Sequence, residues 1–388
     1  VPGHPMSRKL VSRNLERDIH LIVPGPPDQS TGGYIYDAEM VRQLENQGWR
    51  VRVHGLPGEF PVPDDLARNA LASLLESLEA GTTAIVDGLA LGGLPEVVEP
   101  HRTRLRMIGL VHHPLGDETG LEQNLRRQLH ESEARALKAM CGVIVTSPYT
   151  ARRLTILGVN PDRIRVVEPG VQKAPMAATP SDPEARARDC DRNWQLLCVA
   201  SLTPRKGQDV LVEALQTLAH RPWTCRLVGS TTRDPDFARK VAEGITESGL
   251  DERIIMTGEK PREALEEEWH RADLAILPSH FEGFGMVVTE ALARGLPVIT
   301  TTGGALADTL PTGAGMAVTP GSVEELAEAL DDWLTRPELR DRLYRGAAGT
   351  RNGLPDWAES GRLFAGFLET LPEHPEDPRE PDQTRGRQ

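Results

Sequence analysis

Twice along its 388 residues the chain repeats one pattern: a short apolar run, a loop rich in glycine or proline, then a longer segment with apolar residues at helical spacing. Such runs, three to seven residues long, are too short for buried helices and suit strands, most of them covered on both faces. In the first half they are Ile19–Val23, Thr83–Val86, Met107–Val111, Val143–Val145 and Arg163–Val167, with Arg50–Leu56 an alternating strand. In the second they are Gln195–Ala200, Arg226–Gly229, Ile254–Met256, Leu274–Leu277 and Val298–Thr300. Helical periodicity fills the gaps at 31–48, 64–80, 118–139, 207–219, 261–271, 285–294 and 322–335. Strands alternating with helices predict parallel sheets with helices on both faces. A single core rarely exceeds about 250–300 residues, so two such domains are expected.

The two series are separated by residues 172–193, where Lys173, Pro175, Pro180, Pro183 and several charges break the pattern. The expected organisation is therefore an N-terminal Rossmann-like domain over 1–171, a linker over 172–193 and a C-terminal Rossmann-like domain over 194–371. The two domains are expected to face each other across a cleft, with the linker as hinge. A helix near 355–371 would cross back to the first domain. Pro372, Pro375, Pro378 and Pro381 recur every third residue among charges, which predicts a solvated, disordered tail over 372–388.

Composition removes several functions. The net charge is −13 and aromatic residues make up 4%, a poor basis for nucleic-acid binding. No apolar run reaches the roughly 20 residues of a membrane helix. The segment 118–139 mixes Arg126, Arg127, Arg135 and Lys138 with Glu118, Glu122, Glu131 and Glu133. It is not a strongly basic membrane face, although a peripheral contact stays open. Four cysteines without a CxxC pair argue against a disulfide framework or zinc site and for a reducing, cytoplasmic setting.

Ligands of parallel sheets bind at the carboxyl ends of strands, so the loops there carry the search. Ser201-Leu-Thr-Pro-Arg205-Lys206-Gly207 follows a strand and opens a helix. Basic residues in a first helical turn oppose the helix dipole, so local stability gives no reason for them. An anion settling on the helix N-terminus does. Pro278-Ser-His-Phe-Glu282-Gly-Phe-Gly285 repeats the arrangement, and Glu290 follows eight residues after Glu282. Carboxylates accept hydrogen bonds from the vicinal hydroxyls of a sugar or ribose.

The stretch from Pro278 to Thr300 resembles the signature of retaining glycosyltransferases of family 4, which have the GT-B fold. Glu282, Gly283, Phe284, Gly285, Glu290, Ala291, Ala293, Gly295, Pro297 and Val298 match its Glu-x7-Glu phrase. Ser201–Gly207 resembles the same family's phosphate loop, Arg163–Val171 its interdomain strand, and Gly32-Gly33 its N-terminal glycine loop. The resemblance implies that Glu290 holds the ribose of a nucleotide. Glu282, with backbone N–H groups of Phe284, Gly285 and Met286 and with Val287 in the same run, would hold the donor sugar. Lys206, helped by Arg205, would neutralise the diphosphate, and Gly33 would let backbone approach it. The family also places a histidine after an N-domain strand, here His112 or His113.

Two positions depart from the family. Ser201 stands where an arginine is common, and Ala307, followed by Asp308, stands where an acid is common after Gly303-Gly304. The implied reaction moves a hexose-type sugar from a UDP- or GDP-sugar to a hydroxyl of a small molecule or glycan, with retention. No metal is required, because protein cations serve the diphosphate. An Asp-x-Asp, Asp189-Cys-Asp191, lies in the linker rather than at a strand end and reads as chance. A nucleotide-sugar-binding protein without turnover, and an epimerase or phosphorylase on the same fold, are the alternatives.

Overall fold

A computed structural model describes residues 17–29, 31–177 and 192–372. The Asp189–Asp191 triplet, most of the expected linker and the proline-rich tail from residue 373 lie outside the described residues. The chain divides into two compact units, Val1–Pro169 with Trp357–Gln388, and Gly170–Asp356. Each is built on one six-stranded sheet in which every pairing is parallel.

In unit 1 the strands are β1 (Asp18–Pro24), β2 (Arg50–Leu56), β3 (Thr83–Asp87), β4 (Arg106–Val111), β5 (Gly142–Val145) and β6 (Ile164–Val166). Their order is β2-β1-β3-β4-β5-β6. Every residue of β3, β4 and β5 is buried, as continuous apolar runs require when helices cover both faces. The chain leaves β1 toward one edge and returns on its other side as β3, so the topological switch lies between them. That is where such sheets open a crevice for ligands.

The C-terminal helix Trp357–Thr370 belongs to this unit. It turns Phe364, Phe367 and Leu368 onto Tyr36, Met40 and Leu44 of the helix Gly32–Asn46. Arg106, itself buried, donates to the carbonyls of Leu368 and Leu371, closing the helix end. Ser360 Oγ donates to Glu168 O at 2.8 Å. Burying two phenylalanines and a leucine contributes on the order of 2 kcal/mol each.

Unit 2 contains β7 (Trp194–Val199), β8 (Trp223–Val228), β9 (Ile254–Gly258), β10 (Leu274–Leu277), β11 (Val298–Thr301) and β12 (Gly315–Val318), in the order β12-β11-β10-β7-β8-β9. Its switch lies between β7 and β10. Residues 172–177, expected in a linker, lie along this unit. Val171 N–H donates to Pro355 O at 2.8 Å, Ala177 N–H donates to Arg294 O at 3.0 Å, and Ala174 and Ala177 are buried.

The periodicity left some elements unread. Helices Pro148–Ile156, Pro235–Glu247 and Pro337–Thr350 each begin on a proline, which reads as a breaker but suits the first turn of a helix. Ser147 and Asp234 cap two of them by accepting from the N–H groups of Thr150 and Phe237. The helix expected over 118–139 starts only at Gln123, and Leu115–Asp117 ahead of it is a 3-10 turn. Strand β12, Gly-Met-Ala-Val, lies at the sheet edge with one buried residue among its four and was also unread.

Candidate active site

The β7 and β10 loops of unit 2 are locked together at its switch point. After β7 the chain makes a 3-10 turn, Pro204–Lys206, and enters the helix Gln208–Thr217 through Gly207. Gly207 has φ +68°, and a Cβ there would sit 2.3 Å from Pro278 O on the β10 loop. Only glycine allows that approach. His280 N–H donates to Arg205 O at 2.8 Å across the same seam.

This packing delivers three charged side chains to one point. Lys206 Nζ donates to Glu282 Oε1 at 2.5 Å, and Arg205 Nη1 to Glu282 Oε2 at 3.1 Å. Ser279 Oγ donates to Glu282 Oε1 at 2.7 Å. Arg205 Nη1 also donates to Phe281 O at 2.8 Å. Glu282 is 6% exposed. Burial alone would raise its carboxyl, but Lys206, Arg205 and the Ser279 hydroxyl prevail and hold it at about 2. Burial also lowers Lys206, although Glu282 holds it up. One carboxylate against two cations leaves one net positive charge, beside the N-terminus of the helix Met286–Ala293.

The glycines after β11 hold this loop. Gly304 pairs with Glu282 as an isolated parallel bridge, and Ala305 N–H donates to Glu282 O at 2.8 Å. The position where the family commonly has an acid is an exposed alanine, and Asp308 beside it is exposed too. Ser201, in place of the common arginine, is half-buried, and its carbonyl accepts from Gln208 Nε2 at 3.0 Å.

Phe284, Gly285, Met286 and Val287 form the entry of the Met286–Ala293 helix, whose first N–H groups have no intrahelical acceptor. Glu290 is half-buried on that helix. Burial raises its carboxyl against the pull of Arg294, and Glu266 raises it further. Arg294 does not pair with that carboxylate. It donates to the Glu290 carbonyl at 2.7 Å and binds the carboxylate of Glu266, with Nε at 3.1 Å. The Glu290 side chain is thus held as an acceptor without a hydrogen-bonded partner among the described residues.

In unit 1 the structure separates the two histidines. His112, directly after β4, is packed against Gly33, where a Cβ would touch its ring at 3.4 Å. Its Nε2 lies 3.2 Å from Asp37 Oδ1 and 3.3 Å from Asp87 Oδ2. Burial would lower the imidazole, but the two acids raise it to about 10. Burial raises Asp37. Tyr36 meets the ring edge-on at 5.6 Å, and Thr146 Oγ1 donates to the His112 carbonyl at 3.0 Å. His113 turns elsewhere, with Nε2 3.3 Å from Glu118 Oε2. Asp37, Asp87 and Ser279 escaped the sequence reading. Asp87 ends an apolar strand and caps the short helix Gly88–Leu91, a placement that could have marked it.

The family model for glycosyl transferases group 1 matches residues 185–349. D-inositol 3-phosphate glycosyltransferase of Acidothermus cellulolyticus is 30% identical over 89% of this chain and 87% of its own length. The chain belongs to the group 1 glycosyltransferases. Sucrose-phosphate synthase of Thermosynechococcus elongatus superposes on this glycosyltransferase with a TM-score of 0.75, at 22% identity, over 91% of this chain and 98% of its own. Anabaena Alr3699/HepE, solved in complex with UDP and glucose, superposes with a TM-score of 0.69, at 18% identity, over 91% of this chain and all of its own. The fold of the glycosyltransferase is therefore GT-B, two Rossmann-like units in one chain. No helix among its described residues is long and apolar enough to cross a membrane.

Proposed function

We propose that the enzyme moves a hexose from a UDP- or GDP-sugar to a hydroxyl of a small acceptor, with retention and without a metal at the diphosphate. The observation that carries this is Glu282, buried between Lys206 and Arg205 at the switch of unit 2. Cleaving a sugar–phosphate bond leaves negative charge on the departing diphosphate. The surplus cation and the helix N-terminus are already in place to receive it, and one such preorganised group is worth about 3–4 kcal/mol. Lys206 and Arg205 fill the role a divalent ion would otherwise take on the diphosphate.

Retention rests on the resemblance to the family. A carboxyl held at about 2 carries no proton to give near neutral pH, and one shared by two cations is a poor nucleophile. This favours attack on the leaving-group face, with the departing phosphate taking the acceptor's proton, over a two-carboxylate mechanism. Glu290 would take the ribose hydroxyls. Gly33 would serve the diphosphate, His112 the transferred sugar, and unit 1 the acceptor. A polyol phosphate is the first acceptor to assay, given the named substrate of the Acidothermus relative. Four cysteines without a CxxC pair suit a reducing, cytoplasmic setting.

Thermal-shift screening with UDP, GDP, ADP and their sugars tests the donor half. A ligand at 100 times its dissociation constant stabilises by about 2.7 kcal/mol. Glu290→Ala should abolish that shift and slow sugar transfer with it. If no nucleotide stabilises the wild type, the reading is wrong. If a nucleotide binds but no donor sugar is consumed with any hydroxyl acceptor, the chain is a binding protein.

A further inference from the structure

Two buried acids in unit 1 have too little positive charge near them. Asp37 is 6% exposed and Asp87 is 4% exposed, and among the described residues neither forms an ion pair with lysine or arginine. Both approach the same atom, His112 Nε2, which can carry one hydrogen. Even a protonated imidazole offers one positive charge against two negative ones. Buried charges are ordinarily paired or bound to metal.

The geometry is that of convergence rather than of hydrogen bonding. Asp37 Oδ1 and His112 Nε2 are buried atoms without a hydrogen-bond partner, although they lie only 3.2 Å apart. A metal held about 2.0–2.1 Å from nitrogen and oxygen ligands in a tetrahedron separates those ligands by about 3.3 Å. The His112 Nε2 contacts, 3.2 and 3.3 Å, have that spacing, and all three atoms lie within 4.8 Å of one another. A divalent ion would displace the His112 proton, and its two charges would then cancel the two carboxylates.

The surroundings hold the three groups in place. Asp87 Oδ1 accepts the Leu89 N–H at 2.7 Å, leaving Oδ2 for the cluster. The His112 backbone is held through its carbonyl by Thr146 and Thr150, and the edge of Tyr36 holds the ring. Such outer contacts orient metal ligands.

We propose that Asp37, Asp87 and His112 form a binding site for a divalent transition-metal cation, Mn2+ or Zn2+. One nitrogen with two carboxylate oxygens favours these ions over Mg2+ and Ca2+, which prefer oxygen alone. Three protein ligands leave a position open, and the His112 side chain, 22% exposed, marks the accessible side. A close imidazole pair elsewhere in unit 1 is His20 Nδ1 and His54 Nε2, 2.9 Å apart. Arg52 Nη1 stands 3.1 Å from His20 Nε2 and repels a cation there. The site shares His112 with the proposed function, but the inference does not depend on the donor reading, because ion binding is measured without nucleotide or sugar.

The test is titration of the chelator-stripped full-length protein with Mn2+ and with Zn2+ by calorimetry. One ion per chain is expected, with each of Asp37→Asn, Asp87→Asn and His112→Ala weakening it at least 30-fold and His54→Ala leaving it unchanged. Each variant is first checked for a wild-type circular dichroism spectrum. A measurement needing no variant is pulsed electron paramagnetic resonance of the Mn2+-loaded wild type, which should show one coupled imidazole nitrogen. Absence of saturable binding, equal affinity in Asp37→Asn, or no nitrogen coupling would each overturn the proposal.

Discussion

Removing Lys206 tests the physics of the donor half most directly, because its consequence for Glu282 has a sign and a size. The Glu282 carboxyl falls from 4.5 to about 2 on folding. At about 1.36 kcal/mol per unit that is about 3 kcal/mol of stability. Because the folded value is depressed, this stability is present above pH 4.5 and is lost as the pH falls toward 2. Lys206 itself is lowered by burial, so desolvating the ammonium offsets part of the gain and the pair contributes less than the carboxylate alone. Breaking the pair is another matter. Lys206→Ala leaves a buried carboxylate with Arg205 and Ser279 alone, and such losses cost about 3–5 kcal/mol. Adding Glu282→Gln removes the stranded charge, so the double variant should recover at least half of the loss. Urea denaturation followed by tryptophan fluorescence suits the measurement, since Trp194, Trp223, Trp269 and Trp333 all belong to unit 2. The Lys206→Ala penalty should shrink between pH 7 and pH 4 as the variant's Glu282 takes a proton. A Lys206→Ala protein within about 0.5 kcal/mol of wild type, or single-variant losses that simply add, would refute a buried, coupled triad.

Three further outcomes follow from single residues. Gly304 has φ +65°, and a Cβ there would sit 2.2 Å from Glu282 O. Gly304→Ala should therefore destabilise unit 2 by about 2 kcal/mol or more and reduce the nucleotide-induced thermal shift, both read in the same melt. Glu133 is fully buried, and burial raises its carboxyl to about 8, with Asp117 and Asp87 adding to the rise while the Leu115 N–H opposes it. A raised acid destabilises the folded state as the pH climbs through 4.5 to 8, so Glu133→Gln should raise the melting temperature at pH 9 and do little at pH 5. Phe364 of the C-terminal helix is 1% exposed, and Phe364→Ala should cost about 3–5 kcal/mol. Hydrogen exchange should place that loss in unit 1, with the amides of unit 2 protected as before.

What could be read ahead of the structure divides along a physical line between local and non-local signals. Apolar runs such as Leu274–Leu277 announce a buried parallel strand because both faces must be covered wherever the strand sits. The Glu282–Glu290 phrase was legible for a similar reason: strand end, glycine turn and helix entry are consecutive. Proline misled because its meaning depends on one position. At the first turn of Pro148–Ile156 or Pro235–Glu247 its missing N–H costs nothing, whereas in a helix interior it would break the ladder. The ion triad was beyond local reading in a more basic way. Lys206 and Glu282 lie 76 residues apart, and what joins them is the β7–β10 pairing with glycine at position 207. The same holds for His112, which differs from His113 only through Asp37 and Asp87, brought to it by β1, β3 and β4 ending side by side. Identity of a charged residue can thus be guessed from its loop, but its protonation and partner are set by strand order. That is why the charged clusters of both units fall at the topological switches, where two strand ends leave room for side chains from sequence-distant loops to meet.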